Sequence, residues 1–327
     1  EEAKLAYEKE ISLENKSPDA FNNLGTVLRE LGDYRPAEVL FKQAITLRPN
    51  FPEAHNNLGT VLDITGRLND AADCFIKAIS LRENYVSPYH NLAIVSEKKK
   101  DLEGALNCYE KVLLLAPATD FVLGAILHIK MQLGIWDNFS NNVDTLVKGV
   151  TLGKNVSSPF PLHSLIDNPG IQKISSESYY KNRFSYKHRL PIISKYRGHE
   201  KIRIGYFSPD FKNHPVAHLA AGLFEHHDRN NFEIHAFSFD MGSVDEFTDR
   251  IKSGVDYFHQ IQTLSDKQIT LLSRSLEIDI AVDLVGFTAG CRPNIFAMKA
   301  APIQIGYLGF LGSMGADDYE YIIADTT

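Results

Sequence analysis

One register runs unbroken through the first third of this chain. The segments SPDAFNNLGTVLRELGDYRPAEVLFKQAITLRPN (17–50), FPEAHNNLGTVLDITGRLNDAADCFIKAISLREN (51–84) and YVSPYHNLAIVSEKKKDLEGALNCYEKVLLLAPA (85–118) follow one another at a 34-residue period with no insertion. A period of that length is one supersecondary unit, too small to bury its own apolar face, so stacked copies share a continuous core. Small residues recur at Gly25, Gly59 and Ala93 and again at Ala37, Ala71 and Ala105, where two helices must approach closely. Four residues after the second set come the large rings Phe41, Phe75 and Tyr109, placed to fill the gap between helices. Pro49 and Pro117 close two of the copies, because proline cannot continue a helix. Glu1 to Lys16 carries Ala3 and Tyr7 in the same register, so the chain is expected to start in the second helix of an earlier copy.

This pattern resembles the tetratricopeptide repeat, which implies an α-solenoid of antiparallel helix pairs over residues 1–118 with a partial first copy. Asn23, Asn57 and Asn91 occupy one place in three successive copies, just before the central leucine. Two readings stand. They are polar residues tolerated on an exposed face, or they form a ladder of carboxamides that holds a peptide main chain whatever its side chains.

The repeat breaks at residue 119. Residues 119–200 read as a helical connector, with apolar residues at three- and four-residue intervals in LGAILHIKMQLGIWDNFSNNVDTLVKGV, a proline-rich link at 157–170 and a last helix from about Ile171 to Lys187. From Lys201 the period changes to short β-branched and aromatic runs: IRIGYF, FEIHAFSF (232–239), VDYFHQI (255–261), IDIAVDLVGF (278–287), IQIGYLGF (303–310) and YEYIIAD (319–325). Helical stretches at 216–227, 245–253, 266–276 and 293–299 separate several of them. Apolar strands alternating with helices predict a mostly parallel sheet covered on both faces, a Rossmann-like α/β lobe over 201–327. In such sheets ligands bind at the carboxyl ends of the strands. Three polar or glycine-rich loops follow strands directly: SPDFKNHP, GFTAGCR (286–292) and GFLGSMG (309–315). They are expected to meet at one crevice.

Several function classes are excluded or disfavoured. The formal charge of −7 speaks against a nucleic-acid partner, which needs clustered Lys and Arg. Cys74, Cys108 and Cys291 lack metal-ligand or disulfide spacing and fit a reducing compartment. No apolar run approaches the ~18 residues of a membrane span, and no signal-peptide pattern opens the chain, so a cytoplasmic protein without membrane contact is expected. Glu1 in place of an initiating Met suggests a piece of something longer. There is no GxGxxG, no GxxxxGK[ST] and no GxSxG, so dehydrogenase, P-loop and α/β-hydrolase readings lack support.

The loops carry a more specific likeness. IGYFSPDFKNHPVAH, DLVGFTAGCRPNIFAMKAAPIQIGYLGFLGSMGADDYEYIIAD and the connector containing MQLGIWDNF resemble the SPINDLY-like and O-linked N-acetylglucosamine transferase family, in the same order of parts. The resemblance implies the first lobe of a two-lobed GT-B glycosyltransferase, without the second lobe that supplies most nucleotide contacts. It implies an inverting, metal-independent transfer of N-acetylglucosamine from UDP-GlcNAc to Ser or Thr of proteins, with the repeats recognising the acceptor. This stretch alone is then expected to be inactive. A fucosyl transfer by the same family, or a scaffold that has lost catalysis, are the alternatives.

Residue by residue, the resemblance places the family's proposed general base at His214; the bland alternative is a histidine that caps or bonds a loop. A histidine titrates near working pH, which suits it to take the acceptor's proton. His218 is expected to pack, and Asp210 to organise the loop or cap the next helix. Thr288, Gly290 and Arg292 match the family's GYTxGxR loop, and Gln304, Gly309 and Gly312 match the APIQ and GYPGT stretches; these six are the expected substrate-binding positions. Phe287 replaces the family's Tyr, and Leu311 its Pro. Val285 stands where Asn or Lys is common, which implies a lost hydrogen bond near the sugar. Asp317 and Asp325 are expected to be structural, and Cys291 incidental.

Overall fold

A computed structural model describes residues 17–184, 190, 191, 193, 196, 198–239, 245–310 and 312–324. The expectations for Glu1–Lys16, Leu311 and Asp325 lie outside these residues. The chain forms two compact units, 1–157 and 158–327. The 119–200 stretch is thereby shared between them.

The first unit is helical. The repeats are α1 (Pro18–Leu31) with α2 (Tyr34–Leu47), α3 (Pro52–Ile64) with α4 (Leu68–Leu81), and α5 (Val86–Lys98) with α6 (Leu102–Leu115). Turns of two or three residues make each pair antiparallel neighbours. Gly32 and Gly66 take the left-handed conformation at these turns, and Lys100 holds the equivalent place in the third copy at φ 64°. The recurrent small and large positions meet as their spacing requires. A Cβ on Gly25 would stand 2.8 Å from the Phe41 ring, and one on Gly59 2.6 Å from the Phe75 ring. Both rings are fully buried. Helices α7 (Val122–Gln132) and α8 (Phe139–Thr151) continue the stack, and the chain returns along the start of α7 through a Gly124 N–H to Val156 carbonyl bond of 2.9 Å.

The second unit begins with α9 (Pro159–Leu165) and α10 (Pro169–Arg183). Asn168 starts α10 by accepting the Ile171 N–H, with proline at the first helical position. Six strands follow: β1 (Ile202–Ser208), β2 (Phe232–Ser238), β3 (Tyr257–Gln260), β4 (Ile280–Asp283), β5 (Ile303–Tyr307) and β6 (Tyr321–Ile323). All five pairings are parallel, in the order β3-β2-β1-β4-β5-β6. Helices α11 (Pro215–His226) and α12 (Glu246–Ser253) lie on one face, where Val216, Ala220, Phe224 and Ile251 pack on Ile204, Ile234 and Val282. Helices α13 (Asp266–Ser275) and α14 (Asn294–Ala297) cover the other, where Ile269, Ile295 and Phe296 pack on Phe207, Phe237 and Ala281. The cross-strand pair Phe207–Phe237 stacks at 4.4 Å. The chain leaves β1 toward β2 on one side and returns to β4 on the other. The crevice at the carboxyl end of β1 and β4 is therefore the place where this fold binds ligands. Among the described residues no helix is long and apolar enough to cross a membrane.

Two predictions follow from this packing. Gly59→Val drives a side chain into Phe75, and overpacking of a close-packed core costs about 1–3 kcal/mol, so the thermal midpoint followed by helical circular dichroism should fall by several degrees. The second concerns His235 and His259, stacked across β2 and β3 with Nδ1 and Nε2 3.0 Å apart. Burial, then the neighbouring His235, lowers His259 to about 4. The unfolded chain takes up this proton near pH 6.5 and the folded one resists it. Stability is therefore complete above that pH and is lost as pH falls from about 6.5 toward 4. Urea unfolding across this window should show a smaller loss for His259→Gln than for the wild type.

Candidate functional site

The loop after β1 is pinned from several sides. Ser208 Oγ accepts the Asp210 N–H at 2.9 Å, and Phe211 is buried with its carbonyl accepting from Thr248 Oγ1. Asp245, which caps α12 by accepting the Thr248 N–H, also accepts the Asn213 N–H at 2.6 Å. His214 follows at the N-cap of α11, where its Nδ1 accepts the Val216 N–H at 3.3 Å. The cap is therefore His214 itself and not Asp210. Asp210 Oδ2 stands 3.7 Å from the same Nδ1, and the His214 side chain remains 40% exposed. His218 packs its ring on Phe247, 4.0 Å between centroids, and meets Asn213 Oδ1 through Nε2.

The loop after β4 turns on Asp283. Its carboxylate accepts the Val285 and Gly286 N–H groups and the Tyr319 hydroxyl, at 2.9, 3.1 and 2.7 Å. Burial pushes this carboxyl above the usual range, and the three donors pull it back. Val285 is buried in the sheet core, so its side chain does not face the crevice and the hydrogen bond expected to be lost there is not at issue. Phe287 is buried among Tyr179, Phe184 and Phe310. Thr288 Oγ1 bonds the Val285 carbonyl, and Ala289 and Gly290 are exposed at the loop tip. Gly290 has φ 78°, and a Cβ there would stand 3.1 Å from Pro209 of the β1 loop. Burial raises the Cys291 thiol to about 12, which makes it inert. The Arg292 guanidinium is turned into the lobe. It bonds Asp266 Oδ1 at 2.6 Å and the Leu264 carbonyl at 2.7 Å.

The loop after β5 lies against the loop after β4. A Cβ on Gly309 would collide with the Leu284 carbonyl, and one on Gly286, at φ 59°, with Phe310. Gly312 gives the room for His163 of α9, whose Nε2 is buried with no hydrogen-bond partner among the described residues and whose ring meets Phe310 edge-on. Gln304 is completely buried. Its Oε1 accepts the Ala300 N–H, and its Nε2 donates to the carbonyls of Phe296 and Asp318. All its bonding positions are taken inside the fold, so its amide reaches no substrate; it holds the β5 end in place. The structural aspartate of this region is Asp318, which is buried and accepts the Tyr180 hydroxyl at 2.8 Å, whereas Asp317 is exposed.

His214, Thr288, Gly290, Gly309 and Gly312 thus lie in loops along the contiguous β1-β4-β5 edge, and contacts run from each loop to the next. A cavity of about 310 Å³ opens on the β5–β6 side, lined by Asp283, Gly286, Tyr307, Phe310, Gly312 and Tyr319 among others; of the five positions Gly312 alone lines it. Among the described residues no group of three His, Cys, Asp or Glu side chains is arranged to hold a metal.

In the repeats the asparagines form a double row. Asn57 Nδ2 donates to Asn22 Oδ1 at 2.9 Å, and Asn91 Nδ2 donates to Asn56 Oδ1 at 3.0 Å. Arg29 donates to Asn57 Oδ1, and Asn23 is exposed at the start of the row. Asn22 and Asn56 were missed by a reading that followed one column, although Asn-Asn stands at the same place in both copies.

Comparison with known proteins converges on both units. Residues 170–327 match the model of glycosyl transferase family 41, and residues 18–51, 40–72 and 86–119 match tetratricopeptide repeat models. The chain is 36% identical over 142 residues to a protein of Arabidopsis thaliana named "Probable UDP-N-acetylglucosamine--peptide N-acetylglucosaminyltransferase SEC", a match covering 43% of this chain and 14% of that one. It is 28% identical over 210 residues to the UDP-N-acetylglucosamine--peptide N-acetylglucosaminyltransferase of Caenorhabditis elegans, covering 58% of this chain and 18% of the other. The chain therefore spans less than a fifth of the length of these relatives. Among solved structures, an O-GlcNAc transferase mutant of Thermobaculum terrenum shares the fold, with a TM-score of 0.55 and 22% identity over 94% of this chain and 54% of that one.

Gln304→Leu separates a packing role from a ligand contact. Leaving buried donors and acceptors unpaired costs about 1–3 kcal/mol for each group, so the variant should unfold at distinctly lower urea concentration than the wild type. An unchanged midpoint would contradict the buried role.

Proposed function

We propose, for a chain whose residues 170–327 carry the glycosyl transferase family 41 pattern behind tetratricopeptide repeats, that it is the acceptor-recognition and first catalytic portion of a protein O-glycosyltransferase. The observation that supports this most is the position of His214. It lies in the loop after β1, at the switch in strand order, and that loop touches the β4 loop where Pro209 meets Gly290. The reaction in this reading is an inverting transfer of N-acetylglucosamine from UDP-GlcNAc to a Ser or Thr hydroxyl; the relatives' names carry the donor and a peptide acceptor.

In this reading His214 takes the acceptor's proton as the hydroxyl attacks. The exposed tip at Ala289 and Gly290 brings backbone close to the sugar and pyrophosphate with no large side chain in the way, while Gly309 and Gly312 let the β5 loop pack against the β4 loop and α9. Thr288 and Arg292 shape that tip: Thr288 by closing its turn, Arg292 by fixing it to α13. The reaction calls for no metal in this scheme. Asn23, Asn57 and Asn91 hold the main chain of the acceptor protein along the first helices of the repeats.

In the full-length protein, His214→Ala should lower turnover by about 10²-fold or more while donor binding changes little. Near-normal turnover would make His214 a capping residue only. Alanine at Asn23, Asn57 and Asn91 together should weaken binding of a labelled acceptor peptide about tenfold or more, at ~0.5–1.5 kcal/mol per hydrogen bond lost. The helical circular dichroism should persist. Unchanged affinity would return the three to a solvated face.

A further inference from the structure

We infer that Asp210 is the positioning residue that makes His214 a base, by holding its Nδ1 proton. The inference rests on the proton-transfer reading of His214 and adds the group that selects its tautomer. Two neighbours compete for one ring nitrogen. The Val216 N–H points at Nδ1 from 3.3 Å, and Asp210 Oδ2 lies 3.7 Å from it. These neighbours demand opposite forms of the neutral ring. Accepting the Val216 N–H requires a lone pair on Nδ1, which puts the proton on Nε2 and leaves that nitrogen a donor. Facing a carboxylate requires Nδ1–H, which leaves the Nε2 lone pair open to an acceptor hydroxyl.

The surroundings favour the second form. Asp210 is 15% exposed, and its N–H bond to Ser208 Oγ holds its backbone in place beside the histidine. Asn213, just before His214, is held by Asp245 from α12, and Phe211 is anchored by Thr248. The loop therefore fixes both ends of the Asp210–His214 pair. A small rotation of the carboxylate or ring closes the remaining gap to a charge-assisted hydrogen bond, which outweighs a long, neutral cap. The Val216 N–H, one of the first-turn donors of α11 without an intrahelical partner, gives up its side-chain cap in this form.

The chemistry balances with this pair alone. The acceptor oxygen forms the new bond to the anomeric carbon as the bond from that carbon to the pyrophosphate oxygen breaks, and the electron pair leaves with the nucleoside diphosphate. The acceptor proton passes to Nε2. The resulting imidazolium keeps its Nδ1–H toward the Asp210 carboxylate, which offsets the new charge.

Histidine labelled with 15N reports the tautomer directly, through long-range 1H–15N correlations of the 327-residue chain at a pH where the ring is neutral. His214→Ala identifies the signal by its loss. The wild type should show the Nδ1–H pattern, and Asp210→Asn should convert it to Nε2–H with the circular dichroism retained. An Nε2–H pattern in the wild type overturns the proposal without any variant. So does an Asp210→Asn spectrum with the pattern unchanged. In the full-length protein, Asp210→Asn should cost about tenfold or more in turnover, with the donor KM unchanged and no further loss when combined with His214→Ala. Additive losses overturn the coupling. If His214→Ala keeps normal turnover, the proton-transfer reading falls and Asp210 has nothing to position, a result separate from the tautomer spectrum.

Discussion

Asp283 is the hinge of the α/β unit. A carboxylate buried to this extent is tolerable only when its oxygens are satisfied, and here two successive backbone N–H groups and a tyrosine hydroxyl do so. The two N–H bonds end β4 and turn the chain at Gly286. The tyrosine bond ties that turn to Tyr319, which lies just before β6. With the turn fixed, Gly286 fits beneath Phe310 and Gly309 fits over the Leu284 carbonyl, so the loops after β4 and β5 form one packed body. The β1 loop leans on this body through Pro209 and Gly290. Removing the carboxylate would release three loops together.

Helix α10 holds the same body from outside the sheet. Tyr179 meets Phe287 edge-on at 5.2 Å, and Tyr180 reaches Asp318 through its hydroxyl. The backbone at Ser176 and Glu177 lies so close to Gly315 that a Cβ there would collide with it. A helix that reads from its sequence as part of a connector is therefore a wall of the α/β unit's loop cluster, and the family 41 match begins within it, at residue 170.

The repeats and the parallel sheet were legible because each is written in local pattern: a fixed 34-residue register, then short apolar runs separated by amphipathic helices. The common end of the sheet to which the three loops belong was legible too, since strand-following loops of a parallel sheet share an edge. Side-chain roles were less so. The runs at 278–287 and 303–310 look like long strands, yet β4 ends at Asp283 and β5 at Tyr307, where the aspartate turn and the loop packing take over. Arg292 and Gln304 look like ligand contacts from their motifs. Their partners, Asp266, Leu264, Phe296, Ala300 and Asp318, hold them in the fold, and no local pattern announces such bonds. Val285 differs from the family's polar residue yet packs in the core, where the turn held by the Asp283 carboxylate places it. His163 lies more than a hundred residues before the glycine it touches, and nothing in its own neighbourhood points there.

The asparagine row has a handedness of its own. Asn57 donates back to Asn22, and Asn91 donates back to Asn56, so both carboxamide dipoles are aligned the same way along the stack. Two bonds that point the same way make the two ends of the row inequivalent. A peptide main chain is itself a directional string of N–H and C=O groups, and it could match such a row in one orientation better than in the reverse. The row would then sort extended segments by their N-to-C direction while remaining blind to their side chains.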